Sequence, residues 1–315
     1  MREKVYIISS AQISAQEPFC SVDRFVPVPW EESMLPCKDP DFRPFISPMA
    51  ARRMNPILKR SIAVSRQALQ DASIQCPDAI VTGTGNGCVA DTEVFLTKML
   101  EEGETMLNPS KFICSTPNTI GSQIAITLGC RGFNSTHVND RFAFEGALLD
   151  SMMLLESGNC KNVLLCTSDQ LTQVFYSLVD RETIWKGLPV SEGSVAFVLS
   201  SDPRGAVCQV EDLVQTRSNP IWELDRLFSR RGLTWNDIDI VLTSSFPGKS
   251  ASDFPFLPSD KPVLEYEQYC GQYLSASAFG MFAGSGILRG KGGRALLAGR
   301  SKDTYSFILI SSNLS

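Results

Sequence analysis

Residues 136–158, THVNDRFAFEGALLDSMMLLESG, run from a short strand into a long helix, and Arg141 stands at the junction. Such a junction suits an exposed nucleophile, because the turn is tight and the helix N-terminus favours a developing anion. A guanidinium is always protonated and cannot play that part. Other candidates are few. The 315 residues include one histidine, His137, which excludes a mechanism with two imidazoles and a His-rich metal site. Ten cysteines lie at positions 20, 37, 76, 88, 114, 130, 160, 166, 208 and 270 without metal-ligand pairing. They read as reduced, buried small hydrophobes, so neither a metal nor a cofactor is expected. GTGNG at 83–87 lacks the Lys-Ser/Thr of a phosphate loop and the spacing of a dinucleotide fingerprint, and it reads as a turn.

The elements that must position these groups follow from hydrophobic period. VYIISSAQIS, DAIVTGTGNG, FNSTHVN, NVLLCTSDQ and GSVAFVLSSD read as strands. Between them AARRMNPILKRSIAVSRQALQDAS, DTEVFLTKMLEEG, TPNTIGSQIAITLGC and FEGALLDSMMLLESG carry apolar residues at helical spacing. A second pass of the same kind starts with AVCQVEDLVQT and closes with RALLAGRS and SFILISS. The rhythm predicts an α/β protein with mixed sheets, its halves spanning 1–203 and 204–315 and fused in one core. With 43% hydrophobic and 20% charged residues the chain can bury a large core. Its formal net charge of −5 argues against a nucleic-acid partner. No apolar run approaches a membrane span and no secretory leader pattern is evident, so a cytoplasmic chain without membrane association is expected.

Several segments, taken in order, resemble a β-ketoacyl synthase of the thiolase superfamily. They are AARRMNPILKRSIAVSRQALQDASI, NPSKFICSTPNTIGSQIAITLGCRGFN, SEGSVAFVLSSD, LTWNDIDIVLTSS and the Gly/Ala helix after CGQYLSASAFG. The resemblance implies a five-layer αβαβα fold of two duplicated halves with mixed five-stranded sheets, usually dimeric. It also implies decarboxylative condensation of acyl chains held on an acyl carrier protein.

Carried over position by position, the resemblance puts the family's nucleophilic cysteine at Arg141, counted back from Gly158. Ser244 falls where the first histidine stands, Gln272 where the second stands, and Glu267 in place of the lysine five residues before it. The glycine-rich late turn is replaced by GRSKD at 299–303. Ser and Gln cannot supply a cation or tunable acid/base chemistry near neutral pH. The expectation is a subunit that does not condense acyl chains alone. It resembles the chain-length factor that pairs with an active ketosynthase in fatty acid, polyketide or aryl polyene type biosynthesis.

The same resemblance makes Phe112, Cys114 and Phe142 candidates for an acyl pocket, and Asn134, Ser135, Thr136, His137 and Val138 an interface strand. The implied partner is an active β-ketoacyl synthase or a second copy of this chain, with acyl carrier protein also possible. The chain is shorter than typical members, mainly between SSFPGKSASDF and KPVLEYEQYC, near the mouth. Arg141 has three readings: an inert plug paired with Glu267 or Asp140, a gate at the subunit interface, or a ligand for phosphate or carboxylate. His137 is either a satisfied structural residue or a pH-sensitive interface group. The rival to the partner-subunit reading is a divergent synthase or acyltransferase in which Cys114, or a water activated by Glu267, does the chemistry.

Overall fold

The computed structural model describes residues 4–29, 31, 33–103, 107, 109–181, 189–245 and 250–312. Its strands are β1 (Val5–Ile13), β2 (Met34–Leu35), β3 (Ala79–Thr84), β4 (Phe133–Val138), β5 (Asn162–Asp169) and β6 (Val190–Ser191), followed by β7 (Gly193–Ser200), β8 (Cys208–Thr216), β9 (Ile240–Thr243), β10 (Val263–Glu265), β11 (Arg294–Ser301) and β12 (Thr304–Ser311). β2 and β6 form a small parallel pair, and the others join one mixed sheet in the order β10-β9-β11-β12-β8-β1-β7-β5-β3-β4.

The pairing pattern occurs twice. β3 runs parallel to both β4 and β5, and β7 is antiparallel to β5 and β1. In the same way β9 runs parallel to β10 and β11, and β12 is antiparallel to β11 and β8. The two five-stranded sets meet where Val5–Ile7 pair antiparallel with Cys208–Val210, so the five-stranded sheets expected from the sequence are continuous. β3 and β7 are buried along their whole length, which is why they read as near-unbroken apolar runs rather than as alternating ones.

Helices cover the sheet. The stretch expected to form one helix from residue 50 breaks into Pro48–Ala51 and Pro56–Asp71. Pro56 has no N–H and disfavours helical backbone at Asn55, whose side chain instead caps the longer helix by accepting from the Leu58 N–H. The helix Ala276–Leu288 is buried on nearly all sides, and its small residues permit close approach. A Cβ at Gly280 would lie 2.7 Å from the Tyr266 ring. The largest apolar core draws on both strand sets, with Val5, Phe144 and Phe197 beside Phe279 and Ile308.

Hydrophobic period did not reveal the helices Pro109–Ser115 and Gln173–Arg181 or the three-residue β10. Residues 246–249, which follow β9 in the sequence, lie outside the described residues. Among the described residues no helix is long and apolar enough to cross a membrane.

Candidate functional site

β4 ends at Val138, and a single 3-10 turn, Asp140–Phe142, leads into the helix Ala143–Glu156. Asp140 has φ +45°, a left-handed conformation that costs a non-glycine residue about 1–3 kcal/mol and tends to occur at functional turns. The next residue is Arg141. Its Nη2 donates to Glu267 Oε1, with the two side chains 13% and 0% exposed. Gln272 Nε2 donates to Glu267 Oε2 at 3.4 Å. Three positions separated by up to 131 residues of sequence are thus one buried polar chain.

Burial pushes the Glu267 carboxyl above its ordinary range, and the Arg141 guanidinium opposes that shift. For Arg141 burial is the largest single influence and disfavours the charge, but Glu267 together with Tyr266 and Asp140 outweighs it and keeps the guanidinium protonated. An ion pair therefore occupies the position counted for a nucleophile. Ser244 is close by; its Oγ accepts from the Arg300 N–H at 3.1 Å. Arg141, Phe142, Ser244, Tyr266 and Gly299 help line a residual cavity of about 10 Å³, which has room for at most about one water molecule.

Glu145 is the group in this neighbourhood that sequence reading missed. It is buried and accepts from Ser277 Oγ at 3.1 Å and Ser306 Oγ at 3.0 Å. Desolvation lifts its carboxyl to about 7, against the hydrogen bonds and Arg141 that lower it. The only signal in the sequence is its place four residues after Arg141, because its serine partners come from distant elements.

A carboxyl that titrates higher in the folded state than in the unfolded one adds stability at low pH and loses it as pH rises through 7. The full loss is on the order of 3 kcal/mol. Glu145→Gln keeps a hydrogen-bonding amide without the charge. Compared with the parent in urea unfolding, it should gain stability between about pH 5 and about pH 8. A stability difference that stays constant over that interval would remove Glu145 as the titrating group.

The remaining sequence candidates are spread out. Phe142 is buried and lines the cavity. Phe112 and Cys114 lie on the helix Pro109–Ser115, packed against the helix Val89–Glu102, and Phe112 is exposed with its ring 5.4 Å from that of Phe95. Neither is among the cavity's lining residues.

Asn134–Val138 form most of β4, the outermost strand at one end of the sheet. Asn134 Nδ2 donates to the Gly121 carbonyl at 3.0 Å, and the Thr136 and Thr82 hydroxyls are 2.7 Å apart. On the other face Ser135 Oγ and His137 Nε2 both meet Asp150 Oδ2, at 2.7 and 2.9 Å. His137 thus has a partner on its own chain.

GTGNG at 83–87 ends β3 and bends away. Gly85 N–H donates to Asp169 Oδ1 at 2.7 Å while Ser275 N–H donates to Oδ2 at 2.7 Å. The buried Asp169 therefore ties this turn to the entry of the helix Ala276–Leu288. Among the described residues no three His, Cys, Asp or Glu side chains are grouped to hold a metal ion.

Residues 29–223 match the family model described as β-ketoacyl synthase, N-terminal domain. A 3-oxoacyl-[acyl-carrier-protein] synthase 2 from Synechocystis sp. is 26% identical over 148 residues, which span 44% of this chain and 35% of the relative. The match thus takes in about a third of that relative. Among solved structures, the ishigamide ketosynthase/chain length factor superposes with a TM-score of 0.80 at 13% identity, covering 98% of this chain and 99% of the other. A β-ketoacyl synthase from Burkholderia phymatum gives a TM-score of 0.77 at 15% identity over 100% of both chains. A ketosynthase of a type II polyketide synthase, solved with its acyl-carrier protein and bound to the hexaketide, gives 0.79 at 14% identity over 100% of both. These similarities fit the doubled strand pattern, and with more than half of its length inside the family match the chain belongs to the β-ketoacyl synthase family, with a thiolase-like fold.

Proposed function

We propose that this chain is a non-catalytic, chain-length-factor-type subunit that supports an active β-ketoacyl synthase in fatty acid, polyketide or aryl polyene type biosynthesis. The observation that carries this reading is the buried Arg141–Glu267 pair at the turn where the family holds its nucleophile. Condensation needs an acyl acceptor and donors aimed at a developing enolate. In this reading Arg141, Ser244, Glu267 and Gln272 take those positions, and about 10 Å³ of space remains beside Arg141 and Ser244. Likeness in fold to a ketosynthase/chain length factor supports the same reading. The partner is an active ketosynthase docked along Asn134–Val138 of β4, with acyl carrier protein as the substrate carrier, and the division of the chain into halves at 203/204 is part of this proposal.

The test is condensation of acyl- and malonyl-loaded carrier protein by the purified protein, by a ketosynthase encoded beside it, and by the two together. Turnover is expected only in the mixture, and Cys114→Ala should leave it unchanged. Turnover by this protein alone, lost in Cys114→Ala, would replace this reading with that of a divergent synthase.

A further inference from the structure

Two thiols outside this site meet where β3 and β4 begin. Cys76 follows the helix Pro56–Asp71, Cys130 follows the helix Thr119–Leu128, and each precedes its strand by three residues. β3 and β4 run parallel with Ala79 opposite Phe133. Carrying that register back along both segments sets Cys76 opposite Cys130. The lead-in segments stay close, because a Cβ on Gly132 would lie 2.0 Å from the Asp78 carbonyl oxygen. Burial, and after it the neighbouring Cys76 thiol, push the Cys130 thiol up to about 12. Cys76 is exposed and Cys130 is half-buried. Adjacent strands lie roughly 4.8 Å apart, inside the Cα separation of about 4.4–6.8 Å that a disulfide spans.

We propose that Cys76 and Cys130 are an oxidisable dithiol that closes to a disulfide when it meets a low-molecular-weight disulfide such as oxidised glutathione. The exposed Cys76 thiolate attacks one sulfur of oxidised glutathione, breaks its S–S bond and releases one glutathione thiolate. Cys130 gives up its proton to water and attacks the Cys76 sulfur, displacing the second glutathione thiolate. Two protein thiols are oxidised, one small disulfide is reduced to two thiols, and the electrons balance. The crosslink encloses β3 and the helices between residues 89 and 128, and it pins the start of the outermost strand β4. The proposal does not depend on the partner-subunit reading.

The full chain, fully reduced and then incubated folded with oxidised glutathione, is followed by intact mass and peptide mapping. The expected product has lost two hydrogens, joins the Cys76 and Cys130 peptides, reverts with dithiothreitol and shows slower amide exchange in β4. Cys130→Ser should stop at a single glutathione adduct on Cys76, and Cys76→Ser should leave Cys130 unmodified. A stable adduct on Cys76 in the parent protein, closure through Cys37 or Cys114, or no reaction would each overturn the proposal.

Discussion

Arg141→Ala should cost the folded protein about 3–5 kcal/mol, because it strands a fully buried carboxylate that the guanidinium now neutralises. This is a large share of a typical domain's stability of about 5–15 kcal/mol. Two secondary effects identify the cause. Without Arg141 the Gln272 hydrogen bond alone is left to oppose the burial that raises the Glu267 carboxyl, so the variant should be most stable in acid and should weaken as pH rises and Glu267 is forced to ionise. The double variant Arg141→Met, Glu267→Gln should recover most of the loss, since it removes both charges and keeps the volume filled. Urea unfolding of the three proteins across pH checks all of this. A loss below about 1 kcal/mol in Arg141→Ala would mean that water reaches the pair and that it is worth no more than a surface one.

The second large effect is expected at the proposed subunit contact. Val138 is 52% exposed on β4, so Val138→Asp should change the isolated subunit's stability by less than about 0.5 kcal/mol. In a subunit contact centred on that strand, the same change buries a carboxylate near the middle of the interface. The cost is about 2 kcal/mol or more, a drop in affinity of about 30-fold or greater. Analytical ultracentrifugation of this protein alone and mixed with its candidate ketosynthase separates the cases. Unchanged association with both would place the contact elsewhere on the surface.

Much of the strand and helix pattern is legible in the sequence because burial on both faces writes itself as apolar runs. The runs at residues 79–84 and 193–200 are examples. The helix expected from residue 50 was overrun because its apolar spacing continues through Pro56, where backbone sterics prevail over hydrophobic period. β10 has only three residues, and the helix Pro109–Ser115 only seven, too short for a period to emerge. At the site, the family resemblance carried over position by position singled out Arg141 and Glu267 and left Glu267 or Asp140 as the arginine's partner, and the structure pairs it with Glu267. Glu145 was not legible. Its significance comes from Ser277 and Ser306, 132 and 161 residues away, and from a degree of burial that the pattern FEGALL does not distinguish from a solvated helix face. The cysteines carried a similar ambiguity, since they read as reduced, buried small hydrophobes and Cys76 is exposed.

The central place of β1 has a consequence for synthesis on the ribosome. One edge of this strand is completed by β7 and the other by β8, and about 180 residues separate its end from the start of β7. At translation rates of about 5–20 residues per second, roughly 10–40 s pass before either neighbour emerges. During that interval an apolar strand with two open edges is free to pair with other nascent chains. Slow, chaperone-dependent maturation is the expected result, and a pulse-labelled chain should become protease-resistant only after residues beyond β8 have left the exit tunnel.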